Sequence, residues 1–381
     1  MSQSFANIAL NEIKFDCRHY SGYKPCGKHD GCPDCPHYAP RGEQILIIKL
    51  GAMGDVLRTK SLLPALKRAH PTSWIVWLTA PGSESIARDP LVDEVRTLTT
   101  EGVMSLERRP WRRVLCLDKD PHALALSAKL DAKIRQGFAP TAYNTVTVWN
   151  DAATDALRLG LSDEFKFRQN RKSQPEILHD IAELPYEGDS YALSLTPEAR
   201  GGALDVLTRI GAPLDRPIIG LNTGCGPVFA TKAWTPEGFS DLIRRLGVHE
   251  GHTLLLLGGT REEALHRRLT AENPGCTVLF DSGNRNSLET FFGLVERCAM
   301  VLTSDSLCLH VAVALRRPLV AFFGPTCEQE IDLFGLGEKI VTDFACSPCY
   351  LKVCPKPRTC MQALEVDTVE DAVMRVLHAA R

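Results

Sequence analysis

Residues 44–58 read Gln44-Ile-Leu-Ile-Ile-Lys-Leu-Gly-Ala-Met-Gly-Asp-Val-Leu-Arg58. The first half is a short apolar run between Gly42 and Gly51, which is typical of a strand buried on both faces of a parallel sheet. Two glycines and Asp55 follow, so we expect a glycine turn and then a helix that begins near Asp55. A strand, a turn and a helix in this order predict the first βαβ unit of an α/β domain.

Strand and helix patterns alternate along two stretches of the chain. After the first strand, the first stretch predicts strands at 74–79, 113–117 and 133–138 and helices near 83–88 and 121–130. The second stretch predicts strands at 217–222, 253–257, 276–280, 300–303, 318–323 and 339–341 and helices at 236–246, 261–271 and 368–380. This alternation predicts two Rossmann-like domains with parallel sheets, and a ligand is expected at the carboxyl ends of the strands.

The segment from Arg168 to Pro217 is polar and rich in proline and glycine, which indicates a domain boundary. We therefore predict five parts. They are a Cys-rich N-terminal extension at 1–40, a first Rossmann-like domain at 41–195, a linker region at 196–216, a second Rossmann-like domain at 217–345, and a Cys-rich loop with a C-terminal helix at 346–381.

The overall charge argues against a nucleic-acid partner. The 381 residues include 44 Lys and Arg against 46 Asp and Glu, a net charge of −2. The first residues lack a basic stretch followed by an apolar one, so we expect no secretion signal. The apolar tract 301–323 is interrupted by polar and charged residues, namely Asp305, His310, Arg316 and Arg317. These residues exclude a membrane span in this tract. We expect a cytoplasmic protein whose cysteines are reduced, with at most peripheral membrane contact.

Four loops at strand ends carry residues suited to chemistry. Asp55 is either a helix cap or a base. After the strand at 217–222 comes Asn222-Thr-Gly-Cys-Gly226, followed by Lys232, which together form either a cradle for a diphosphate or an ordinary loop with a solvated lysine. Glu262 and Glu263 follow another strand, where a ribose hydroxyl is often bound. Finally, Thr303-Ser-Asp-Ser-Leu-Cys-Leu-His310 offers polar groups at a helix start, although a lone histidine such as His310 is often part of a core.

The combination of these motifs is more specific than any one of them. In order, the chain has Lys-Leu-Gly-x-Met-Gly-Asp-Val-Leu, Lys-x-Trp-x-Pro, Gly-Gly-x-x-Glu, Ser-Asp-Ser-x-x-x-His and Phe-Gly-Pro-Thr326. From about Gln44 to the C-terminus the chain resembles glycosyltransferase family 9, the ADP-heptose:lipopolysaccharide heptosyltransferases. The resemblance implies a GT-B fold, with two Rossmann-like domains facing a central cleft, the first for the acceptor and the second for the nucleotide sugar. It also implies an inverting transfer that needs no catalytic metal.

The resemblance also assigns roles to residues. Asp55 matches the general base, which favours the base over the cap. The positions that match donor-binding residues are Gly51, Met53, Gly54, Thr223, Gly224, Cys225, Lys232, Glu262, Asp305, Ser306, Leu307 and His310. Leu307 departs from the pattern, because many relatives have glycine there, and it narrows the space near the phosphates. The acidic nucleoside contact falls on either Glu262 or Glu263. Independently of the resemblance, Arg58 could meet an anionic acceptor. Arg108, Arg109, Arg112 and Arg113 could do the same, but their pattern favours a solvated basic face.

Eight of the fourteen cysteines lie in two clusters. The C-terminal cluster has the spacing C-x2-C-x4-C-x5-C and predicts one ion, Zn or Fe, held by Cys346, Cys349, Cys354 and Cys360. The N-terminal cluster has three histidines interspersed and predicts a second site, of the Zn or Fe–S type, at Cys17, Cys26, Cys32 and Cys35. Reduced structural cysteines or disulfides are the alternative for both clusters. Any metal here is expected to be structural.

Several functions stay open at this level. The first is transfer of a heptose from ADP-heptose to a lipopolysaccharide-core or other cell-envelope glycan. A protein acceptor or another nucleotide sugar is the alternative within the same enzyme class. A metal-binding GT-B scaffold without catalysis and a nucleotide-sugar epimerase are alternatives from other classes. Asp55 and Lys232 argue against the scaffold, and no acid/base pair around a sugar was found to support the epimerase.

Overall fold

The computed structural model describes residues 8–249 and 251–379, and these residues form two compact units. Unit 1 comprises residues 8–50, 63–154 and 181–185, and unit 2 comprises residues 51–62, 155–180, 186–249 and 251–379. Both units are therefore discontinuous in sequence, unlike the contiguous domains predicted above. Residues 1–7 of the predicted N-terminal extension and Ala380, the predicted last helical residue, lie outside the described part.

Unit 1 contains a six-stranded sheet. Its strands are β1 Gln44–Ile48, β2 Trp74–Thr79, β3 Glu94–Thr97, β4 Trp111–Cys116, β5 Ala132–Pro140 and β6 Val146–Val148. They lie in the order β3-β2-β1-β4-β5-β6, and all neighbours are parallel except β5 and β6. The chain thus places the first strand next to the fourth, which creates a switch point between β1 and β4.

Unit 2 contains a second six-stranded sheet, which is parallel throughout. Its strands are β7 Ile218–Asn222, β8 Thr253–Leu257, β9 Leu279–Asp281, β10 Cys298–Ser304, β11 Leu319–Phe323 and β12 Gly337–Val341. The order β12-β11-β10-β7-β8-β9 repeats the strand order of unit 1, except that β11 and β12 are parallel whereas β5 and β6 are antiparallel. The prediction of two domains built on parallel sheets is confirmed.

Helices connect and cover the strands. They are α1 Met53–Thr59, α2 Leu62–Ala69, α3 Glu84–Ala87, α4 Thr100–Glu107, α5 Pro121–Lys129, α6 Thr154–Arg158, α7 Gln174–Ala182, α8 Pro197–Arg209, α9 Pro236–Leu246, α10 Glu263–Glu272, α11 Leu288–Arg297, α12 Leu307–Ala314 and α13 Val366–Ala379. In unit 2, α9 and α13 pack together, and their apolar faces join one hydrophobic core with β7, β8, β10 and β11.

Local sequence explains the elements that match best. The side chains of Ile45 to Ile48 in β1 are fully buried, as expected for a strand with apolar residues on both faces. Helix α9 begins after Thr235, whose hydroxyl accepts a hydrogen bond from Gly238 N at 3.0 Å, and Pro236 occupies its first turn. The predicted bounds of α9 and β8 are those observed.

Other elements differ from the prediction. The strand expected at 276–280 is shorter and later, because the backbone turns at Cys276, whose N–H bonds to Asn273 O. Strand β3 was not predicted, since its residues are polar and only half-buried. Residues 196–216, predicted as a linker, contain α8, which packs against α11 inside unit 2.

None of the helices in residues 8–249 and 251–379 combines the length and the apolar character needed to cross a bilayer.

Candidate active site

The switch point of unit 2 brings two polar loops together. Strands β7 and β10 are neighbours, and their carboxyl ends lead into the loops that begin at Thr223 and Asp305. Asn222 links the loops, because its side-chain nitrogen lies 2.7 Å from Gly224 O and 3.2 Å from Ser306 Oγ. The sequence-predicted residues on both loops therefore meet at one place, where open α/β sheets bind their ligands.

Lys232 and Asp305 form an ion pair at this edge of the sheet. Lys232 Nζ lies 3.6 Å from Asp305 Oδ2, and both side chains are less than one-fifth exposed. Burial alone would raise the pKa of Asp305, but the charges of Lys232 and Arg58 outweigh it, so the pKa is lower than usual. Asp305 is thus a carboxylate at neutral pH, held beside Lys232.

Helix α1 belongs to unit 2, although it follows the first strand of unit 1. It packs against α12, and a Cβ at Gly54 would lie 2.6 Å from His310 Cδ2, so only glycine allows this approach. Asp55, in the first turn of α1, is ion-paired with Arg58. The Asp55 side chain is 40% exposed, whereas that of Arg58 is only 13% exposed. The carboxylate is therefore accessible while its counter-ion is mostly buried.

His310 is a buried and neutral histidine at the centre of these charges. Its Nδ1 lies 3.1 Å from the hydroxyl of Tyr191. Burial, reinforced by the charge of Arg58, lowers the pKa of His310 to about 3, although Asp305 and Asp55 act in the opposite direction. Helix α1, which bears Asp55, packs against α12, and Asp305, just before α12, is ion-paired with Lys232, so the predicted base and the predicted diphosphate lysine lie on segments next to α12.

The glycine loop after β7 faces Glu262 rather than Glu263. A Cβ at Gly224 would lie 3.0 Å from Glu262 Cδ, and the Glu262 carboxylate accepts a hydrogen bond from Gly259 N at 2.8 Å. Glu263 is instead ion-paired with Arg267 and Arg285. Of the two carboxylates, Glu262 is therefore the one beside the predicted donor loop.

Comparison with known proteins then identifies the family. The sequence profile of "Glycosyltransferase family 9 (heptosyltransferase)" matches residues 163–359, just over half of the chain. The chain belongs to glycosyltransferase family 9. Lipooligosaccharide heptosyltransferase 2 of Haemophilus influenzae is 27% identical over 304 residues, which cover 75% of this chain and 84% of that protein. This family 9 protein is accordingly a glycosyltransferase.

Solved family 9 structures share the fold. A glycosyl transferase family 9 protein from Veillonella parvula superposes with a TM-score of 0.70 at 17% identity, covering 88% of this chain and 98% of the other. The ADP-heptose lps heptosyltransferase II of E. coli superposes with a TM-score of 0.65 at 19% identity, covering 88% and 99%. Both likenesses confirm the α/β fold with two parallel-sheet domains that the family resemblance implied.

Other predicted donor residues of this family 9 enzyme lie at loop and helix starts. Thr223 turns its hydroxyl inward, 2.9 Å from His266 Nε2, and its backbone N–H donates to Leu257 O at 3.0 Å, so both groups are engaged within unit 2. Burial raises the pKa of Cys225, whose sulfur lies 3.7 Å from Phe229 O. Met53 and Leu307 are the first residues of α1 and α12. At Gly51 a Cβ would meet no atom within 4 Å, so space alone does not require glycine there.

Sequence reasoning missed a second group of side chains near Asp305. Lys166 Nζ lies 3.7 Å from the ring centre of Tyr350, and Glu330 lies 3.9 Å from Lys166 and 3.4 Å from the Tyr350 hydroxyl. Burial raises the pKa of Glu330 above its usual value. These residues and Tyr191 come from separate segments without a motif, so no local signal marks them.

Of the four other arginines considered for an anionic acceptor, three are engaged in unit 1: Arg109, Arg112 and Arg113.

The cysteine clusters do not form single-ion sites. Within residues 8–249 and 251–379, no three His, Cys, Asp or Glu side chains are arranged so that they could hold a metal ion. Cys346, Cys349, Cys354 and Cys360 line one cavity of about 20 Å³, but Cys346 is exposed whereas Cys360 lies half-buried against Gly324. The prediction of one ion at these four thiols is therefore not supported. The same holds for one ion at Cys17, Cys26, Cys32 and Cys35.

Proposed function

We propose that this enzyme transfers a heptose, with inversion, from ADP-heptose to a lipopolysaccharide-core or other cell-envelope glycan. Membership of family 9 supports the sugar transfer, and the names of the relatives from H. influenzae and E. coli support the donor and the acceptor class. A glycolipid acceptor would bring the enzyme to the inner face of the cytoplasmic membrane by peripheral contact.

The observation that carries the proposal is that α1, which bears Asp55, packs against α12 in one compact unit, and that Asp305, just before α12, is ion-paired with Lys232. Asp55 accepts the proton of the acceptor hydroxyl as its oxygen attacks the anomeric carbon. The bond between that carbon and the phosphate oxygen breaks at the same time, and ADP leaves with the electron pair. Attack opposite the leaving group inverts the anomeric centre.

Lys232 and the start of α12 stabilise the leaving diphosphate. The lysine supplies a positive charge, and the N-terminal N–H groups of α12 add the partial charge of the helix dipole. Asp305 is an anion, so it does not contact the phosphates but orients Lys232 and accepts hydrogen bonds from sugar hydroxyls. With these groups in place, the transfer requires no divalent cation.

Glu262 is the acidic contact of the nucleoside. Glu262 follows β8, and its carboxylate lies beside Gly224, which follows β7. Rossmann-like domains bind a ribose hydroxyl in this region beyond the strand ends. The backbone N–H groups of Gly224 and Cys225 bind the phosphate oxygens. Thr223 donates its own N–H to Leu257 O at 3.0 Å and turns its hydroxyl toward His266, so it holds the start of this loop in place.

The test is a transfer assay with purified protein. ADP-heptose and a panel of other nucleotide sugars are offered with a heptose-deficient lipopolysaccharide core, and release of the nucleoside diphosphate is measured. We expect ADP release that depends on both ADP-heptose and the core, persists in EDTA, and yields a product of inverted anomeric configuration by NMR. Preference for another sugar or for a protein acceptor, retention of configuration, or loss of activity in EDTA would contradict the corresponding part of the proposal.

A further inference from the structure

Residues 17–39 form a long irregular loop that is closed at its base. Cys17 pairs with Pro40 in an isolated β-bridge, and Arg18 N donates to Ala39 O at 2.7 Å. Arg18 also anchors the loop to the rest of unit 1, because its guanidinium lies 2.5 Å from Asp93. Between these ends the structure shows neither a helix nor a strand. Both ends of the loop are thus fixed, while its interior depends on something other than secondary structure.

The loop has no apolar core of its own. Gly31 is the one buried residue among residues 17–39, and Tyr23 is 98% exposed. Loops of this length without secondary structure are uncommon in compact domains. Segments too small to bury a core are usually held by disulfides or metals. All four cysteines here are free thiols in the structure, so each is available as a ligand of a bound group that would hold this loop together.

The four cysteines line one cavity. The cavity has a volume of about 300 Å³, and Cys17, Cys26, Cys32 and Cys35 all contribute to its wall. An ion held by four thiolates at bonding distance leaves no such space, and no three of these side chains are arranged around a single ion. The cavity fits a group larger than one ion.

The charge of the wall fits an anionic group. The described residues that line the cavity include three lysines and two histidines, and none of them is Asp or Glu: Lys14, Lys24, Lys28, His19 and His37. Four thiolates bound to a metal–sulfide core carry a net negative charge. The lysines would offset that charge in a partly enclosed site.

We propose that Cys17, Cys26, Cys32 and Cys35 bind an iron–sulfur cluster. Four cysteine thiolates are the usual ligand set of such clusters, and inorganic sulfide supplies the bulk that a lone zinc ion lacks. Cys32 and Cys35 are the adjacent ligands, since the turn between them brings Cys35 N to 3.4 Å from Cys32 O. The cluster replaces the missing core of residues 17–39. This site lies in unit 1, apart from the residues assigned to sugar transfer, and does not depend on the proposed function.

The full chain, purified and kept without oxygen, tests the proposal directly. We expect iron and acid-labile sulfide in equal and near-stoichiometric amounts, visible absorption that bleaches with dithionite, and an electron paramagnetic resonance signal after reduction. If the protein is isolated without metal, anaerobic incubation with ferrous iron and sulfide is expected to restore the same absorption. Acid-labile sulfide separates a cluster from iron bound elsewhere, for example at the C-terminal cysteines.

Variants assign the ligands. Cys26→Ser and Cys35→Ser should reduce both iron and sulfide to background. Cys276→Ser, which changes a half-buried cysteine in unit 2, should retain both, as should Cys349→Ser in the C-terminal cluster. Zinc without sulfide, two disulfides found by counting thiols in denaturant, or failure to take up iron and sulfide would each overturn the proposal. These three results come from the parent chain, so they hold even if a variant fails to fold.

Discussion

A methyl group added at Gly54 would lie 2.6 Å from Cδ2 of His310. Non-bonded carbon atoms prefer separations of roughly 3.5–4.0 Å, so α1 is closer to α12 than any other residue at this position would permit. Asp55 is the next residue along α1, and the Asp305 and Lys232 charges act on the same histidine. The closeness of the two helices therefore sets the position of the proposed base relative to the proposed leaving-group site.

Gly54→Ala should displace α1 and slow transfer. A shift of about 1 Å at a reacting group can cost on the order of 10²-fold in rate, and overpacking typically destabilises by about 1–3 kcal/mol. We expect a lower kcat and a lower melting temperature. Gly201→Ala in α8 is the matched control, because a Cβ there meets no atom within 4 Å and alanine favours the helix. A Gly54→Ala enzyme with the parental kcat would show that the approach of α1 to His310 is not needed for transfer.

Asp55→Asn should preserve ADP binding and abolish most of the turnover. The amide has the shape of the carboxylate but cannot accept the proton of the acceptor hydroxyl, and loss of a general base costs about 10²–10⁴-fold. Steady-state kinetics gives the loss, and calorimetry with ADP gives the affinity. Asp155→Asn, an exposed acid that also pairs with an arginine three residues later, serves as the control. Turnover at the parental rate would exclude Asp55 as the base.

Lys232→Ala should weaken ADP binding and slow the chemical step together, because the same charge meets the bound diphosphate and the leaving group. A hydrogen bond to a charged group contributes about 1.5–3 kcal/mol, so we expect roughly a 10- to 100-fold rise in the Kd for ADP. Lys129→Ala removes an exposed ion-paired lysine of unit 1 and should leave that Kd unchanged. Equal affinities of the Lys232 variant and its parent would remove Lys232 from the diphosphate site.

Glu262→Gln and Glu263→Gln form a matched pair. Only Glu262 lies beside Gly224, while Glu263 is paired with arginines, so the first change should raise the Kd for ADP and the second should not. The expected rise is about 10-fold, the value of one hydrogen bond to a charged group. Calorimetry with ADP and with the free diphosphate separates a nucleoside contact from a phosphate contact. Equal effects of the two changes would reject the assignment.

His310 should make the protein less stable in mild acid. Its pKa is lowered to about 3 in the folded state, against about 6.5 unfolded, so the unfolded chain binds the extra proton first as the pH falls. The stabilisation by the neutral ring is complete above the unfolded pKa and is lost as the pH falls toward 3. Between pH 7 and pH 5 this should amount to about 2 kcal/mol.

Urea unfolding at pH 7 and pH 5 measures the effect of His310. The His310→Gln variant should lose about 2 kcal/mol less than the parent over this range. His122→Gln alters an exposed histidine and should follow the parent. If the parent and the His310 variant lose the same stability, His310 titrates normally in the folded protein.

Local signals predicted much of the fold and part of the site. The limits of α9 and β8 follow from a threonine cap, a proline and an unbroken apolar run, which act within a few residues. Asp55, Lys232 and Asp305 could be singled out because each lies at a turn after a strand. Tyr191, Lys166 and Glu330 could not, because each acquires its role only when distant segments pack together. The same limit applies to α1, whose membership of unit 2 depends on a contact with α12 that no local pattern encodes.

The position of α1 has a consequence for how such enzymes can recombine. Residues 51–62 come early in the chain but are part of the compact unit built mostly from residues after 186. Consider a chimera that joins residues 1–185 of one family member to the remainder of another. Helix α1, with the proposed base Asp55, would come from one parent, and α12, against which α1 packs, would come from the other. Such hybrids should be active only when the parent that supplies Gly54 and the parent that supplies His310 have compatible surfaces. Exchange of the C-terminal half alone should therefore yield folded but slow enzymes.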